Sequence, residues 1–204
     1  MKRVLITFIA FACAVLPGCG TTMTTKESGF LSSYAGLSIS ADDASAGRAP
    51  LVAIDPSRIT LGDVSIQAIA NASLTTPERE ALVELLRTQL AQGVAKLPQN
   101  ARGRAAVLRA SITRVEVVSP ALNTVSTLLL IGPVDRGGAA VEMEAVDPVS
   151  GEQLAALKLG YYAPLSDIKA RFARMDSPEI AIRKAAGEFV SLLGNPASQQ
   201  QGAK

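Results

Sequence analysis

Cys19 is the residue whose chemistry the sequence specifies most closely. It closes the run Leu16-Pro17-Gly18-Cys19, which follows a basic start (Lys2, Arg3) and an apolar stretch from Val4 to Leu16. A small residue followed by cysteine directly after such a stretch marks a bacterial lipoprotein signal. The thiol takes a diacylglyceryl group, the peptide bond before it is cut, and the new amino terminus is acylated. An apolar stretch of about thirteen residues suits a signal peptide and falls short of the roughly twenty that a spanning helix needs. Leu16 and Gly18 fit the pattern, whereas Pro17 stands where a small or hydroxyl residue is commoner. Cys13 lies inside the apolar run and is the poorer acceptor. The alternative is an ordinary secretory signal with an incidental Cys19.

Two further constellations have the spacing for chemistry. Glu142 and Glu144 fall on the same face of a predicted strand, about 7 Å apart, a separation that paired catalytic carboxylates can use. Their neighbours Val141, Met143 and Ala145 alternate with them, so the plainer reading is the solvated outer face of an amphipathic hairpin. Ser166-Asp167-Ile168-Lys169 has the Ser-x-x-Lys spacing that puts a nucleophile one helical turn from an amine. The Lys-Thr-Gly that accompanies it in penicillin-interacting enzymes is missing, and the plainer reading is a polar linker. The chain contains no histidine, which excludes His-based triads and imidazole metal ligands. With Cys13 removed and Cys19 a thioether, thiolate nucleophiles, zinc-thiolate sites and disulfides are excluded as well. No phosphate-binding glycine loop, calcium loop or cofactor motif is present.

Processing also alters the charge. The chain has 20 basic and 18 acidic residues, and loss of Lys2 and Arg3 leaves eighteen of each. That balance argues against a nucleic-acid partner, which needs a basic patch facing phosphate. About 186 mature residues suffice for one domain with a sizeable core. With three Phe, three Tyr and no Trp left, that core must be largely aliphatic. Gly20, rather than the Asp that retains lipoproteins at the inner membrane, directs the expectation to the outer membrane, with the domain facing the periplasm. Two or three acyl chains, at ~0.8 kcal/mol per buried methylene, make such an anchor effectively permanent.

The elements that must position these residues follow from periodicity and punctuation. Residues 1–18 form the signal peptide and 19–27 a Thr-rich tether reaching roughly 30 Å. The domain covers 28–196, and 197–204 form a disordered tail. Phe30, Tyr34 and Leu37 have the spacing of a short helix capped by Ser28. Residues 38–49 read as loop. Leu51 to Ile54 reads as a strand broken by Asp55-Pro56, with a second extended stretch over 64–69. Thr76-Pro77-Glu78 opens a helix carried by Leu82, Leu85, Leu86, Leu90, Val94 and Leu97. A long strand over 106–118 slips phase at Thr113-Arg114, which predicts a bulge. Residues 123–131 are apolar and bounded by Pro120 and Pro133, and they read as a loop with Asp135-Arg136-Gly137-Gly138 beside it. Strands over 139–146 and 154–162 pair as a hairpin. Ser177-Pro178-Glu179 opens a last helix, closed by Gly194-Asn195-Pro196. The fold class is α+β, a single two-layer sandwich with a mostly antiparallel or mixed sheet and two main helices packed on one face.

Ser28-Gly29-Phe30-Leu31-Ser32-Ser33-Tyr34 just after a lipidated cysteine resembles the opening of the bacterial envelope lipoproteins grouped under domain of unknown function 3313. Ile54-Asp55-Pro56, Gly137-Gly138-Ala139-Ala140-Val141-Glu142 and Asp147-Pro148-Val149-Ser150-Gly151-Glu152 add to the likeness, which runs from about Ser28 to Leu193. Pro148 and Ser150 stand where that family favours Ala or Thr. The resemblance implies an envelope lipoprotein and supplies no catalytic residues.

The functional expectation is a non-enzymatic lipoprotein, held in the outer membrane by Cys19, that binds another envelope component as an accessory or assembly factor. Phe30, Tyr34, Asn123, Asp135 and Arg136 are the candidate partner contacts: the first two lie close to the membrane, the others on an apolar-tipped loop that could dock a partner or touch lipid. The alternative for that loop is packing on the domain's own core. The alternative functions are a binding protein for a small apolar ligand or lipid, and a hydrolase using Ser166 and Lys169 or the two glutamates.

Overall fold

In the middle of the chain, apolar side chains alternate with polar ones along three long strands and give the sheet one greasy face. A computed structural model describes residues 22–40, 45–71, 73–131, 135–164 and 166–197. The strands are β1 (Ser38–Ile39), β2 (Ser45–Arg48), β3 (Ile54–Ile66), β4 (Arg104–Glu116), β5 (Gly138–Val146) and β6 (Gln153–Tyr162). The helices are α1 (Thr76–Val94), α2 (Pro120–Leu128) and α3 (Asp176–Gly194). One six-stranded sheet runs in the order β1-β2-β6-β5-β4-β3. Its β3–β4 pair is parallel, connected through α1, and the other pairs are antiparallel. The expected α+β class and mixed sheet hold.

Helices α1 and α3 cover the greasy face. Leu82, Leu86 and Leu90 of α1, with Ile182, Ala185 and Phe189 of α3, close over Leu108, Ala110 and Ile112 of β4 and Val141 and Met143 of β5. All are nearly or completely buried. Small residues on α3 let it lie close to the sheet, and the one fully buried aromatic here, Phe189, is among the largest buried side chains. Such close packing of aliphatic side chains is the main source of stability in a domain without cross-links.

Several expectations change. The helix start moves one residue, because Thr75 is the N-cap of α1 and shares a capping box with Glu78. Asp55-Pro56 does not break the strand. β3 is an edge strand, so the missing proline N–H costs no ladder bond, and the pairing with β4 is irregular between Ile54 and Ile59. Residues read as loop contain β1 and β2, which extend the far edge of the sheet. The apolar loop after Asn123 is instead the end of α2, which starts at Pro120 with Ser119 as its cap. The expected bulge is present, as a register shift between Ile112 and Arg114.

The second face of the sheet is also covered, by extended chain. Thr22 forms an isolated antiparallel bridge with Tyr161, and the Met23 N–H donates to the Gly160 carbonyl at 3.2 Å. Met23 is fully buried and Leu31 nearly so. Gly160 allows this approach, since a Cβ there would run into the Met23 carbonyl. The tether expected over 19–27 is therefore folded onto the domain from Thr22 onward. No helix forms over 28–37, because the residues from Ser28 to Tyr34 spend their hydrogen bonds on the sheet. At the other terminus, the Ala197 N–H donates to the Pro50 carbonyl, and the rest of the expected tail lies outside the described residues.

Candidate functional site

The alternation that sends Val141, Met143 and Ala145 toward the helices sends Glu142 and Glu144 to the opposite face. There the solvated surface expected for them is absent, and both carboxylates have no exposed area. Ser28 donates to Glu142 twice, from its N–H (3.0 Å) and its hydroxyl (2.7 Å), and the Tyr34 hydroxyl donates to the same carboxylate at 2.5 Å. Glu144 accepts from the Ser32 N–H (2.9 Å) and hydroxyl (2.6 Å), from the Gln153 amide (2.7 Å) and from the Arg109 guanidinium, whose Nε stands at 3.0 Å. Every carboxylate oxygen is thus engaged by donors of the chain itself. A buried carboxylate needs such a shell, since desolvation without it costs several kcal/mol.

The segment Ser28–Tyr34 is built for this contact. Gly29 has φ +82, a left-handed conformation that a side chain would strain, and it turns the chain so that Gly29 N–H donates to the Tyr34 hydroxyl at 2.8 Å. Tyr34 passes that bond on to Glu142. Gln67 donates to the Ser28 hydroxyl at 3.0 Å, tying β3's end to the same network. Burial pushes the Tyr34 phenol above its ordinary pKa, and the Glu142 carboxylate adds to the effect. Burial also acts to raise the Glu144 carboxyl, but the bonds from Ser32, Arg109 and Gln153 together outweigh it and hold that group below the usual range. The glutamate pair is a latch that fastens an N-terminal strap, and neither oxygen pair is left for a substrate.

Asn123, Asp135 and Arg136 meet at one end of the sheet. The Asn123 amide donates to the Asp135 carbonyl (3.1 Å) and the Arg171 carbonyl (2.6 Å), while its oxygen accepts from the Asp135 N–H (2.7 Å). The Asp135 carboxylate accepts from the Ser119 N–H at 2.6 Å. The Arg136 guanidinium lies 5.0 Å from the centroid of the Tyr162 ring. Asn123 is wholly buried and Tyr34 turns its hydroxyl inward, so neither faces a partner as expected. Phe30 is half-buried in the strap. Asn123 and Asp135 together lash α2 to the domain.

What that lashing exposes is the apolar stretch read as a docking or lipid-touching loop, displayed here by a helix and its end. With Asn123 and Ser126 buried one turn apart, the opposite face of α2 points outward and carries Leu122 and Val125. Leu128, Leu129, Leu130 and Ile131 continue the exposed surface past the helix end, and Leu130 is 95% exposed. The signal for this ledge was in the sequence: buried residues would need helical spacing, and here the polar residues 123 and 126 hold it. Ser166 and Lys169 are both exposed. Among the described residues, no group of three His, Cys, Asp or Glu could hold a metal ion, and no helix is long and apolar enough to cross a membrane. Cys19 lies outside the described residues.

A groove of about 530 Å3 opens between α3 and the β1–β2 edge. Ile39, Leu157, Leu159 and Leu192 give it apolar walls, with Lys184 and Glu188 at its rim.

A family model for proteins of unknown function, DUF3313, matches residues 26–189 of the chain. No curated protein sequence matches it. Among solved structures, the PelC dodecamer from Paraburkholderia phytofirmans is similar at 12% identity, covering 72% of this chain and 96% of that one, with a TM-score of 0.43. A protein taken to be a lipoprotein, from Caulobacter crescentus CB15, is similar at 18% identity, covering 73% and 94%, with a TM-score of 0.39.

Proposed function

This chain belongs to the DUF3313 family of proteins of unknown function, and we propose that it is a non-enzymatic lipoprotein that hangs from the outer membrane by Cys19 and binds another envelope component as an accessory or assembly factor. The observation that carries this reading is the strap. It is on the sheet already at Thr22, three residues after Cys19, and is fastened there by two buried carboxylates. An anchor on Cys19 would then hold the domain itself in a fixed attitude beneath the membrane, which a long free tether would not do. A rigidly held platform suits a binding role. The groove beside α3 offers the partner an apolar seat, reached from the open edge at β1.

Cys19→Ala is expected to move the protein from the membrane fraction into the soluble periplasm. Retention in the membrane with unchanged detergent partitioning would sink the anchor. For the partner, a photo-crosslinking residue at Ile39 in intact cells is expected to capture one defined envelope protein. Efficient labelling without a discrete adduct would count against the assembly role.

A second reading, a small apolar ligand or lipid, is favoured by the same groove, whose volume lies within the ordinary range of ligand pockets. Native mass spectrometry of protein purified without detergent separates the two, since a co-purifying small molecule belongs only to the second. The hydrolase reading has the least support, with Glu142 and Glu144 consumed by the latch and Ser166 and Lys169 on open surface.

A further inference from the structure

The ledge after α2 and the first described residue of the strap lie at the same end of the molecule. Thr22 bridges Tyr161, whose neighbour Tyr162 carries Arg136 on its ring. Arg136 follows Asp135, which exchanges hydrogen bonds with Asn123 of α2. The C-terminal ends of β4 and β6 and the start of β5 converge here, whereas the turn after β5, with Val149, lies at the opposite end. Only Gly20 and Thr21 separate Thr22 from Cys19, so the lipid-bearing sulfur's backbone can be no further than about 11 Å from Thr22.

The ledge itself is held at a cost. Leu130 has φ +61, the left-handed conformation normally given to glycine at a helix end. Around it the Leu130 N–H donates to Thr127 and the Ile131 N–H to Ser126, the bond pattern of a glycine-type helix stop. A glycine would close this helix without strain. The chain instead uses leucine there and projects it almost wholly out of the protein. Beyond Asn123, the short 3-10 turn at Lys169–Arg171 adds an exposed ammonium, Lys169, and an exposed Ile168.

We infer that this ledge (Leu122, Val125, Leu128, Leu129, Leu130 and Ile131) seats on the lipid surface that holds Cys19, with Lys169 at headgroup level. Apolar side chains with flanking cations, held parallel to an interface by a nearby acyl anchor, are the physical recipe for shallow insertion. A short link brings the bilayer to the end of the molecule that carries the ledge, and the anchor removes the translational cost of meeting it. This inference rests on the anchor proposed above, and the two fail separately.

The test uses the full chain expressed in a lipoprotein-processing bacterium and reconstituted in vesicles of phosphatidylethanolamine and phosphatidylglycerol. Incorporation of labelled palmitate, lost in Cys19→Ala, reports the anchor alone. An environment-sensitive probe is then attached at Leu130→Cys or, as the far-end control, at Val149→Cys; both sites are exposed, so neither replacement disturbs the core. Nitroxide-bearing lipids are expected to quench the Leu130 probe several-fold more than the Val149 probe and to accompany a blue shift at Leu130 only. Equal, weak quenching at both sites in a palmitate-labelled, vesicle-bound protein overturns the inference and leaves the anchor standing. A Leu130 probe shielded in the native envelope but water-exposed in vesicles overturns it too, in favour of a protein partner. Absence of palmitate label instead strikes the anchor reading.

Discussion

The strap latch and the α2 ledge reverse the usual assignment of polar and apolar residues in opposite senses. At the latch, two glutamates with the spacing of a solvated strand face are completely buried. At the ledge, six aliphatic residues with the composition of a core segment stand in the open. Each reversal comes from what covers the element. Glu142 and Glu144 sit on a central strand whose second face receives the N-terminal chain, and α2 sits at the rim of the sheet with its Leu122 and Val125 face left exposed among the described residues. Burial of a side chain is thus decided by the neighbour that arrives, and pattern alone reports only which residues share a face.

The comparison is broken most severely by Glu144→Ala. It removes bonds from Ser32, Gln153 and Arg109, and chemical denaturation is expected to show a loss of about 3 kcal/mol. Limited proteolysis of that variant should open cleavage sites between Thr22 and Tyr34 that the native protein protects. An unchanged cleavage pattern would mean that the carboxylates do not hold the strap. Lowering the pH removes the same contribution reversibly. The Glu144 carboxyl is held below its ordinary pKa, so its contribution is complete above the ordinary glutamate value of about 4.3. It is lost as pH falls through the lower folded value. Urea midpoints against pH should therefore drop more steeply below that range in the native protein than in Glu144→Gln.

Tyr34→Phe is a finer cut at the latch. It deletes the hydroxyl that donates to Glu142 and accepts from the Gly29 and Leu31 N–H groups, and it leaves both Ser28 bonds, for an expected loss of about 1–2 kcal/mol. On the ledge, Leu130→Gly should move stability the other way. Relief of the left-handed strain outweighs the added freedom of the unfolded chain, for a gain of about 0.5 kcal/mol. A thermal midpoint that rises in Leu130→Gly and falls in Tyr34→Phe would sharpen the contrast between a region built for stability and one that gives stability up. A fall in both would remove the argument that Leu130 is strained.

Much of the scaffold was legible beforehand. The helix opened by Pro77 and the one opened by Pro178 carry long leucine and alanine stripes, and local periodicity suffices to find such elements. The bulge near Arg114 could be read from a phase slip in one strand. β1 and β2 escaped because four or fewer residues carry too little pattern, and they exist only as edges on β6. The Ser28–Tyr34 segment misled because Phe30, Tyr34 and Leu37 share a helical spacing, while its serines had partners more than a hundred residues away. The spacing of the glutamates marks them as a pair; Arg109 and Gln153 bond Glu144 from neighbouring strands, and the remaining donors stand in the Ser28–Tyr34 run. Nothing local linked the two.

Sequence by itself determined the lipoprotein-type motif at Cys19, the absence of histidine, the α+β class and the two faces of β4, β5 and β6. These depend on residue identity and on spacings within one element, where the chain's own geometry does the sorting. Only the tertiary structure decided that the chain already lies on the sheet at Thr22, that Glu142 and Glu144 fasten it, and that Leu130 is thrown outward. Those outcomes depend on which distant segment covers which face. Covering is a matter of competing long-range contacts, and no periodicity records it.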